Sequence, residues 1–284
     1  MRACVALFAL ALTLVSAPLR AEETVPTRVT YITFNIGGGA GSKFGFKQPF
    51  DMPRAGAYLK SLKADFVALQ EVDQFVGRNR NPKRDTAGEL ARAAGFPHAL
   101  FGKAIRLGGG EYGIALLSKV KPSSWETCRL PSRGEQRVFI DARFPMADGK
   151  TLAVCATHLG LSTEERTRQV EAILAHYREK PADRLLLAGD LNATLNEPEF
   201  KLLDAALTRL SPEPEKYTWL GDNPAFNNSR SGPAIDHVFG RALPGERWVA
   251  LPATRRLEYK DQAPLSDHIP VLVEAEVTKG PVAP

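Results

Sequence analysis

Four polar residues end strongly apolar segments of the sequence, where an ordinary solvated side chain is not expected. They are Asn35, Glu71, His158 and Asp190, and each is the last residue of a run rich in Val, Leu, Ile, Ala or Phe. Such runs are typical of buried strands, and α/β proteins build their sites at strand ends. These four residues are therefore the first candidates for a site.

A second group of polar residues extends this set toward the C-terminus. Asn192 follows Asp190 by two positions, so in extended backbone the two side chains project to the same side. Asp236 lies inside an apolar segment, and the pair Asp267-His268 directly precedes the last one. Because Asp236 would be costly to bury without a partner, we expect it to hold and orient the ring of His268 and to bind no metal itself.

The combined set is rich in oxygen and contains little imidazole and no thiolate. This composition suits Mg²⁺, with Mn²⁺ as the alternative, better than structural Zn²⁺. Each residue taken alone is more often a turn or surface residue, so the prediction depends on the full set. The remaining histidines, His98, His176 and His237, are interpreted as surface or packing residues.

Short apolar segments rich in β-forming residues predict nine strands. They cover residues 29–35, 66–71, 114–118, 125–130, 138–144, 152–158, 185–190, 235–239 and 271–277. Helical periodicity is clearest over 164–178, where Ser162 and Glu165 suggest a capping box. Weaker helical patterns cover 54–62, 86–94 and 197–207.

The strand-rich region from 114 to 158 predicts an antiparallel meander, because its segments are joined by short turns. Mixed strands and helices in one long chain suggest two sheets packed face to face with helices outside. No linker, charge block or repeat divides residues 22–284. We therefore expect a single α/β domain over 22–284.

The N-terminus has the pattern of a secretory signal peptide. Arg2 precedes an apolar run over 3–15, which is shorter than the roughly 20 residues of a membrane-spanning helix, and small residues lead up to Ala21. We expect cleavage near Ala21, export to the periplasm or medium, no stable membrane anchor and a monomeric protein. The formal net charge of +5 falls by two on removal of 1–21, a mild bias that suits an anionic substrate.

Cys128 and Cys155 are the cysteines outside the predicted leader. In an oxidising compartment they are the obvious disulfide. They fall on the first and third of three consecutive predicted strands, however, so two strand spacings of about 4.8 Å separate them. Because a disulfide needs Cα atoms within roughly 7 Å, we predict that both thiols stay unpaired.

At this point the sequence resembles the endonuclease/exonuclease/phosphatase superfamily, which includes secreted DNase-type nucleases, sphingomyelinases and inositol polyphosphate phosphatases. Seven short blocks occur in the order of that family and span about residues 29 to 275. They are Thr33-Phe34-Asn35, Leu69-Gln70-Glu71-Val72-Asp73, Glu111-Tyr112-Gly113, Thr157-His158-Leu159, Gly189-Asp190-Leu191-Asn192-Ala193, Ile235-Asp236-His237 and Ser266-Asp267-His268-Ile269-Pro270-Val271.

The resemblance implies a four-layer α/β/β/α sandwich with the site at one end of both sheets. It also implies that Glu71 binds the metal with help from Asn35 and Asp267. Asp190 and Asn192 would orient the attacking water and the phosphate. Either Asp190 or His268 would be the formal base.

For the remaining polar residues of the blocks, the resemblance implies that Asp236 holds His268 for proton transfer. His158 would contact the scissile phosphate, steadied by Glu111. Tyr112, from the same block as Glu111, is a candidate for substrate binding.

The sequence departs from the family at Ile114 and Leu191, where many relatives carry a polar residue and Phe respectively, and Ile114 leaves the substrate class open. Arg78, in a basic loop after the Glu71 strand, and Arg137 are candidates for contact with the substrate phosphate, against the simpler interpretation of solvated residues.

Three functions remain open at this stage. The leading one is a metal-dependent phosphodiesterase of nuclease type acting on a phosphate ester, with nucleic acid as the default substrate. The second is a lipid or small-molecule phosphoesterase of sphingomyelinase or inositol-phosphatase type. The third, a non-catalytic binding module, is disfavoured because the complete set of polar residues is present.

Overall fold

Two β-sheets form the centre of the chain, and helices cover their outer faces. The computed structural model describes residues 23–39, 51–77, 83–212, 217–220, 233–257 and 264–280. In these ranges the chain forms thirteen strands and four helices. The predicted leader 1–21 and Arg78 lie outside the described residues and stay predictions.

The first sheet has seven strands, numbered in chain order. They are β1 (Arg28–Asn35), β2 (Phe66–Gln74), β3 (His98–Leu107), β4 (Gly110–Ser118), β11 (Glu246–Ala250), β12 (Arg255–Arg256) and β13 (Val271–Lys279). Their order is β11-β13-β1-β2-β4-β3, and β12 also pairs with β13. β1 and β2 are parallel, whereas the other pairs of this sheet are antiparallel.

The second sheet has six strands. They are β5 (Ser124–Arg129), β6 (Val138–Pro145), β7 (Thr151–His158), β8 (Arg184–Asp190), β9 (Thr208–Arg209) and β10 (Asp236–Arg241). Their order is β5-β6-β7-β8-β10-β9. Only β7 and β8 are parallel among these described pairs.

Three apolar clusters separate four layers. One cluster lies between the sheets and includes Tyr31 and Phe144. A second packs helices α1 (Met52–Ser61) and α2 (Thr86–Ala94) on the first sheet. A third packs α3 (Thr163–Glu179) and α4 (Pro198–Ala206) on the second. The predicted α/β/β/α sandwich is confirmed.

The two parallel strand pairs position the polar residues. In each pair a helix carries the chain back across the sheet, so both strands end at the same edge. β1 and β2 thereby place Asn35 beside Gln70, and β7 and β8 place His158 beside Asp190. The four polar residues at predicted strand ends are therefore brought to one end of the sandwich.

Each of the nine predicted strands and four predicted helices has a counterpart, but the predicted meander was too long. The meander consists of β5, β6 and β7, while β4 pairs with β2 and β3 in the other sheet. The chain changes sheets just after β4. The backbone N–H of Lys119 still donates to the carbonyl of Asp65 beside the first sheet, whereas that of Ser123 donates to the carbonyl of Arg143 in the second. A run of strands in sequence does not reveal such a change.

The N-cap of α3 agrees with the sequence, since the Ser162 hydroxyl accepts from the backbone N–H of Glu165. Cys128 and Cys155 are both free thiols, on strands separated by β6, which confirms the prediction. No helix in the described part of the chain is long and apolar enough to cross a membrane.

Candidate active site

One histidine and two aspartates form a row across the end of the second sheet. His158 on β7 pairs in register with Asp190 on β8, and Asp190 pairs with Asp236 on β10. All three are at least 95% buried. A row of buried ionisable groups must satisfy its charge internally, so the partners of each group indicate what the row can do.

Asn35 connects this row to the first sheet. Its Nδ2 donates to Asp190 Oδ2 at 2.9 Å and to Glu71 Oε1 at 3.3 Å. Its Oδ1 accepts from the backbone N–H of Gly37 at 3.0 Å, which fixes the orientation of the amide. Asn35 therefore holds the carboxylates of Asp190 and Glu71 on either side of one amide group.

Glu71 does not end its strand as the sequence suggested. β2 continues to Gln74, and the pairing of β2 with β4 is irregular between Leu69 and Val72. Glu71 sits in this irregular stretch with a positive φ of 54°, which is unfavourable for a residue with a side chain. Bulges of this kind redirect a side chain and are common beside active sites. Here the bulge accompanies the contact of Glu71 with Asn35.

Asn192 also reaches the site by a turn instead of by extended backbone. Its φ is 49°, and its backbone N–H donates to Asp190 Oδ1 at 2.9 Å. Its Nδ2 donates to the carbonyl of Leu159 at 3.0 Å and lies 3.1 Å from His158 Nε2. The strand ends at Asp190, so a turn and not extended backbone brings Asn192 and Asp190 together. Their joint action on the substrate stays a prediction.

The predicted pair of Asp236 and His268 is present. His268 Nδ1 lies 2.9 Å from Asp236 Oδ2, and the Thr218 hydroxyl donates to the same oxygen at 2.6 Å. Among the described residues, Asp236 Oδ1 is buried without a hydrogen-bond partner. On the other side of the ring, His268 Nε2 lies 3.7 Å from Asp190 Oδ2. The ring is thus placed between two buried carboxylates.

These surroundings change the pKa of both partners. Burial, reinforced by the Asp236 carboxylate, raises the pKa of Asp190 to about 7, against the opposing effect of His268. Burial by itself lowers the pKa of His268, but Asp236, with Asp190 and Asp267, outweighs it and raises the pKa to about 10. His268 is therefore a cation at neutral pH.

His158 has a different partner from the one expected. Arg137 Nη1 lies 3.2 Å from His158 Nδ1 and is paired with Glu135 at 2.8 Å. A guanidinium can only donate hydrogen bonds, so Nδ1 accepts from Arg137. His158 Nε2 lies 3.1 Å from Asn192 Nδ2 and 3.6 Å from Asp190 Oδ2. His158 therefore connects Arg137 to the row through its two ring nitrogens.

The expected support of His158 by Glu111 is not what the structure shows. Glu111 lies on β4 of the first sheet, where its carboxylate pairs with Lys103 of β3 at 2.6 Å. The guanidinium of Arg137 occupies the position at His158 that the carboxylate was predicted to fill. Substrate binding by Tyr112, which is buried on β4, and phosphate contact by Arg137 stay predictions.

Asp267 lies against the turn that follows β1. A Cβ atom on Gly37 would come within 3.3 Å of Asp267 Oδ1, and Gly37 has a positive φ of 61°, which favours glycine. The Ser266 hydroxyl donates to Asp267 Oδ1 at 3.1 Å. The absence of a side chain at Gly37 therefore lets the carboxylate of Asp267 approach the Asn35 turn.

The donor set of Asn35, Glu71 and Asp267 fits a hard divalent cation. All three offer oxygen, and within the described ranges neither carboxylate forms an ion pair with Lys, Arg or His. An unneutralised pair of carboxylates is suited to a cation such as Mg²⁺. A second grouping, Asp190, Asp236 and His268, has ligand atoms within 4.8 Å of one another. We prefer the first, because Asp236 Oδ2 and His268 Nδ1 are already paired with each other.

Sequence reasoning missed Thr218 and the contact between Arg137 and His158. Thr218 binds Asp236 through its hydroxyl and also accepts from the backbone N–H groups of Ile235 and Asp236. It comes from a segment without a periodic pattern, so no sequence signal identified it. Arg137 was a candidate for contact with the substrate phosphate. Its position at the start of a strand, directly after Gln136, gives no indication that it contacts His158.

Comparison with known proteins gives one family. The family model described as the Endonuclease/Exonuclease/phosphatase family matches residues 32–268, and no protein of curated function matches the sequence. Among solved structures, an endonuclease/exonuclease/phosphatase from Beutenbergia cavernae is 21% identical with a TM-score of 0.71. The match covers 90% of this chain and 73% of that one.

Two other solved structures share the fold. Truncated TDP2 from Caenorhabditis elegans is 17% identical with a TM-score of 0.61, over 88% of this chain and 97% of that one. Sphingomyelinase C from Streptomyces griseocarneus is 20% identical with a TM-score of 0.60, over 87% of this chain and 99% of that one. At these identities the likeness establishes the fold alone, whereas the family model covers most of the chain. The chain belongs to the endonuclease/exonuclease/phosphatase family.

Proposed function

We propose that this chain is an exported, divalent-metal-dependent phosphodiesterase with nuclease-type activity. The observation that carries the proposal is the convergence of three side chains on one carboxylate oxygen. Asp190 Oδ2 accepts from Asn35 and lies 3.6 Å from His158 and 3.7 Å from His268. A carboxylate surrounded by an amide and two imidazoles is suited to orienting a water molecule and an anionic phosphate at the same point.

Glu71, Asn35 and Asp267 would hold the metal. A bound divalent cation neutralises the charge that develops on the non-bridging phosphate oxygens. The remaining work falls to the protein. Asn35 keeps Glu71 and Asp190 at a fixed separation through its Nδ2, so loss of the Asn35 amide would disturb both the metal ligands and the residue that orients water.

The protonation pattern follows from the charges that surround each group. His268 lies between the buried carboxylates of Asp236 and Asp190, so it is the group that carries the compensating positive charge. Asp190 is then available to accept the proton of the attacking water. His158, oriented by the Arg137 guanidinium at Nδ1, contacts a phosphate oxygen.

The proposed substrate class and the proposed export are argued from the sequence. Nucleic acid is the substrate class suggested by the nuclease-type blocks, and the net charge of +5, which falls by two on removal of residues 1–21, suits an anionic substrate. Export is suggested by residues 1–21. A solved relative named sphingomyelinase C shares the fold, so the lipid phosphoesterase alternative belongs in the same test.

The test is hydrolysis by the purified chain of plasmid DNA, RNA, sphingomyelin, inositol phosphates and bis-(p-nitrophenyl) phosphate, with Mg²⁺ or Mn²⁺ and with EDTA. We expect metal-dependent cleavage of the nucleic acids and of the model diester. Preferential cleavage of sphingomyelin or inositol phosphates would replace the proposed substrate. Activity that survives EDTA would contradict metal dependence, and a chain inactive on every substrate would contradict the proposed function.

The metal assignment has its own test in the variant Glu71→Ala. We expect loss of activity, partly recovered at high Mg²⁺ or Mn²⁺ concentration if weakened metal binding is the only defect. Glu164→Ala is the matched control, because Glu164 is also an acidic residue but is exposed, pairs with Arg133 and Arg168 and is not a predicted ligand. Full activity in Glu71→Ala would overturn the assignment.

A further inference from the structure

A second cluster of metal-ligating side chains lies on the outer face of the second sheet. It consists of Glu126, Cys128 and His176, whose ligand atoms all lie within 4.8 Å of one another. The distance of the cluster from the candidate active site can be judged along β7. The cluster is near Asp141, which pairs in register with Cys155 on β7, and Cys155 lies three residues, roughly 10 Å along a strand, before His158. The cluster is therefore separate from the row of His158, Asp190 and Asp236.

The local structure explains why the three side chains meet. Glu126 and Cys128 are two residues apart on β5, so they project to the same face. That face is covered by α3, whose last turn carries His176. Cys128 Sγ lies 4.0 Å from His176 Nδ1. Because β5 is the edge strand of the sheet, the cluster is half-open to solvent.

The ring of His176 is held in the orientation that a metal ligand needs. Its Nε2 lies 2.8 Å from Asp141 Oδ2, so it donates there and leaves the lone pair of Nδ1 directed at Cys128. Phe139 packs edge-on against the ring at 5.0 Å between centroids. A carboxylate behind a histidine is the usual arrangement at zinc sites, because it fixes the tautomer and makes the ligand more basic.

We propose that Glu126, Cys128 and His176 form a binding site for a divalent metal ion of the zinc class. A carboxylate oxygen, a thiolate and an imidazole are all common zinc ligands, and three protein ligands leave one position for water. The thiolate distinguishes this site from the Mg²⁺-type set of Asn35, Glu71 and Asp267, since sulfur selects softer cations. An open groove of about 550 Å³ borders the site at Glu126 and is also lined by Asp141 and Lys180.

A nucleophilic role for Cys128 is the alternative explanation of a Cys-His-Asp arrangement, and the surroundings oppose it. The charged groups around the Cys128 thiol include the carboxylates of Glu126 and Asp141. Reactive cysteines have the opposite environment, in which nearby positive charge lowers the pKa. A thiol surrounded by carboxylates is better matched to a cation than to an anionic nucleophile.

Lys180 competes with a metal ion for the carboxylate of Glu126. Its Nζ lies 2.6 Å from Glu126 Oε1, and the lysine side chain is 56% exposed. An ion pair this exposed is weak, so a divalent ion displaces the ammonium group at little cost. Replacement of Lys180 by a neutral residue should therefore strengthen metal binding.

The direct test is titration of the purified full chain with Co²⁺ under reducing conditions. Cobalt bound by a thiolate gives a near-ultraviolet charge-transfer band, which the cysteine-free catalytic site does not produce. We expect a saturable band in the wild type, competed by Zn²⁺, and no band in Cys128→Ser. Cys155→Ser is the matched control and should keep the band. No band in the wild type, or a band that persists in Cys128→Ser, would overturn the proposal.

Three further variants test the geometry by Co²⁺ affinity. Asp141→Asn should weaken binding by roughly 10–100-fold, the usual effect of losing the group behind a ligand, and Glu126→Gln should weaken it as well. Lys180→Gln should tighten it, and this variant cannot be explained by loss of folding. Unchanged or weaker binding in Lys180→Gln, or unchanged binding in Glu126→Gln, would contradict the proposed ligand set. Failure of the substrate panel leaves this test unaffected, because its signal is not enzymatic activity.

Discussion

Two histidine–aspartate pairs of nearly equal length use aspartates of the second sheet, yet their surroundings differ. His268 Nδ1 is 2.9 Å from Asp236 Oδ2, and His176 Nε2 is 2.8 Å from Asp141 Oδ2. Asp141 also accepts two hydrogen bonds from Arg143 and one from Tyr177. Asp236 accepts from Thr218, and in the described part of the chain its second oxygen has no partner.

This difference teaches that the neighbours of a pair decide its chemistry. At Asp141 the permanent charge of Arg143 balances the carboxylate, so the pair can serve to orient the imidazole of His176. At Asp236 the charge is balanced by His268 itself, whose pKa is raised to about 10. One arrangement prepares a metal ligand, whereas the other prepares a cation beside Asp190.

His237 provides a third case, next to Asp236 in sequence but on the opposite side of the strand. Its ring packs edge-on against Phe200 at 4.8 Å, and its Nε2 donates to the carbonyl of Ala234. Burial lowers the pKa of His237 to about 4. Both rings are buried, but only His268 is in contact with a carboxylate. Burial without such a contact keeps His237 neutral.

Of the substitutions that compare the two pairs, the largest effect is expected at Asp236 and His268. Asp236→Asn keeps the shape of the side chain but cannot stabilise the charged ring of His268, so turnover should fall about 10²–10⁴-fold. Metal affinity should barely change, because Asp236 is not assigned as a ligand. Initial rates, with calorimetric titration by Mn²⁺, measure both quantities. Loss of metal affinity in proportion to activity would make Asp236 a ligand and end the assignment.

The matching substitution at the other pair should affect stability instead of turnover. Asp141→Asn leaves Arg143 without its buried partner, which typically costs about 3–5 kcal/mol. Urea unfolding should therefore show a lower free energy of unfolding. The rate of hydrolysis, measured at a temperature where the variant is folded, should equal that of the wild type. A large loss of turnover in the folded variant would show that the two pairs are not separate.

The neutral histidine predicts a loss of stability in acid. The folded pKa of His237, about 4, is below its ordinary value of 6.5, so as pH falls below 6.5 the unfolded chain binds a proton that the folded protein excludes. Stability from this group is complete above pH 6.5 and declines toward pH 4, by about 3 kcal/mol. Urea unfolding across this range should show a smaller decline for His237→Gln. An equal decline in both proteins would contradict the prediction.

The smallest expected effect concerns the partner of His158. Arg137→Gln removes the donor at Nδ1 and should lower turnover roughly 10–100-fold, the worth of a charged hydrogen bond. If Arg137 acts through His158, the same substitution should cost little more in a His158→Gln background. Additive losses in the double variant would instead favour direct contact of Arg137 with the phosphate.

Much of the fold was predictable from sequence, because buried strands and amphipathic helices carry strong apolar patterns. β3 and β11 were missed since both are edge strands with many exposed residues. β3 also contains Gly102, where a Cβ atom would lie 2.9 Å from Ile140. One signal was overlooked: Gly108 and Gly109, both with positive φ, form the two-residue turn between β3 and β4, a typical hairpin connection.

The candidate site was predictable to the level of residue types but not of contacts. Asn35, His158 and Asp190 were identified because polar residues at the ends of apolar strands are unusual. The exchange of Glu111 for Arg137 at His158 could not be foreseen, since β4 and β6 belong to different sheets. Sequence order alone does not say which of two sheets supplies a partner.

The most direct test of the account is hydrolysis of bis-(p-nitrophenyl) phosphate by Asp190→Asn, measured beside the wild type with saturating Mn²⁺. Asp190 is the point where Asn35, His158 and His268 converge, and an amide in its place cannot accept the proton of water. We predict a rate no higher than that of the wild type in EDTA, with unchanged thermal unfolding. A folded Asp190→Asn protein that hydrolyses the diester at the wild-type rate would contradict the assignment of this end of the sandwich as the active site.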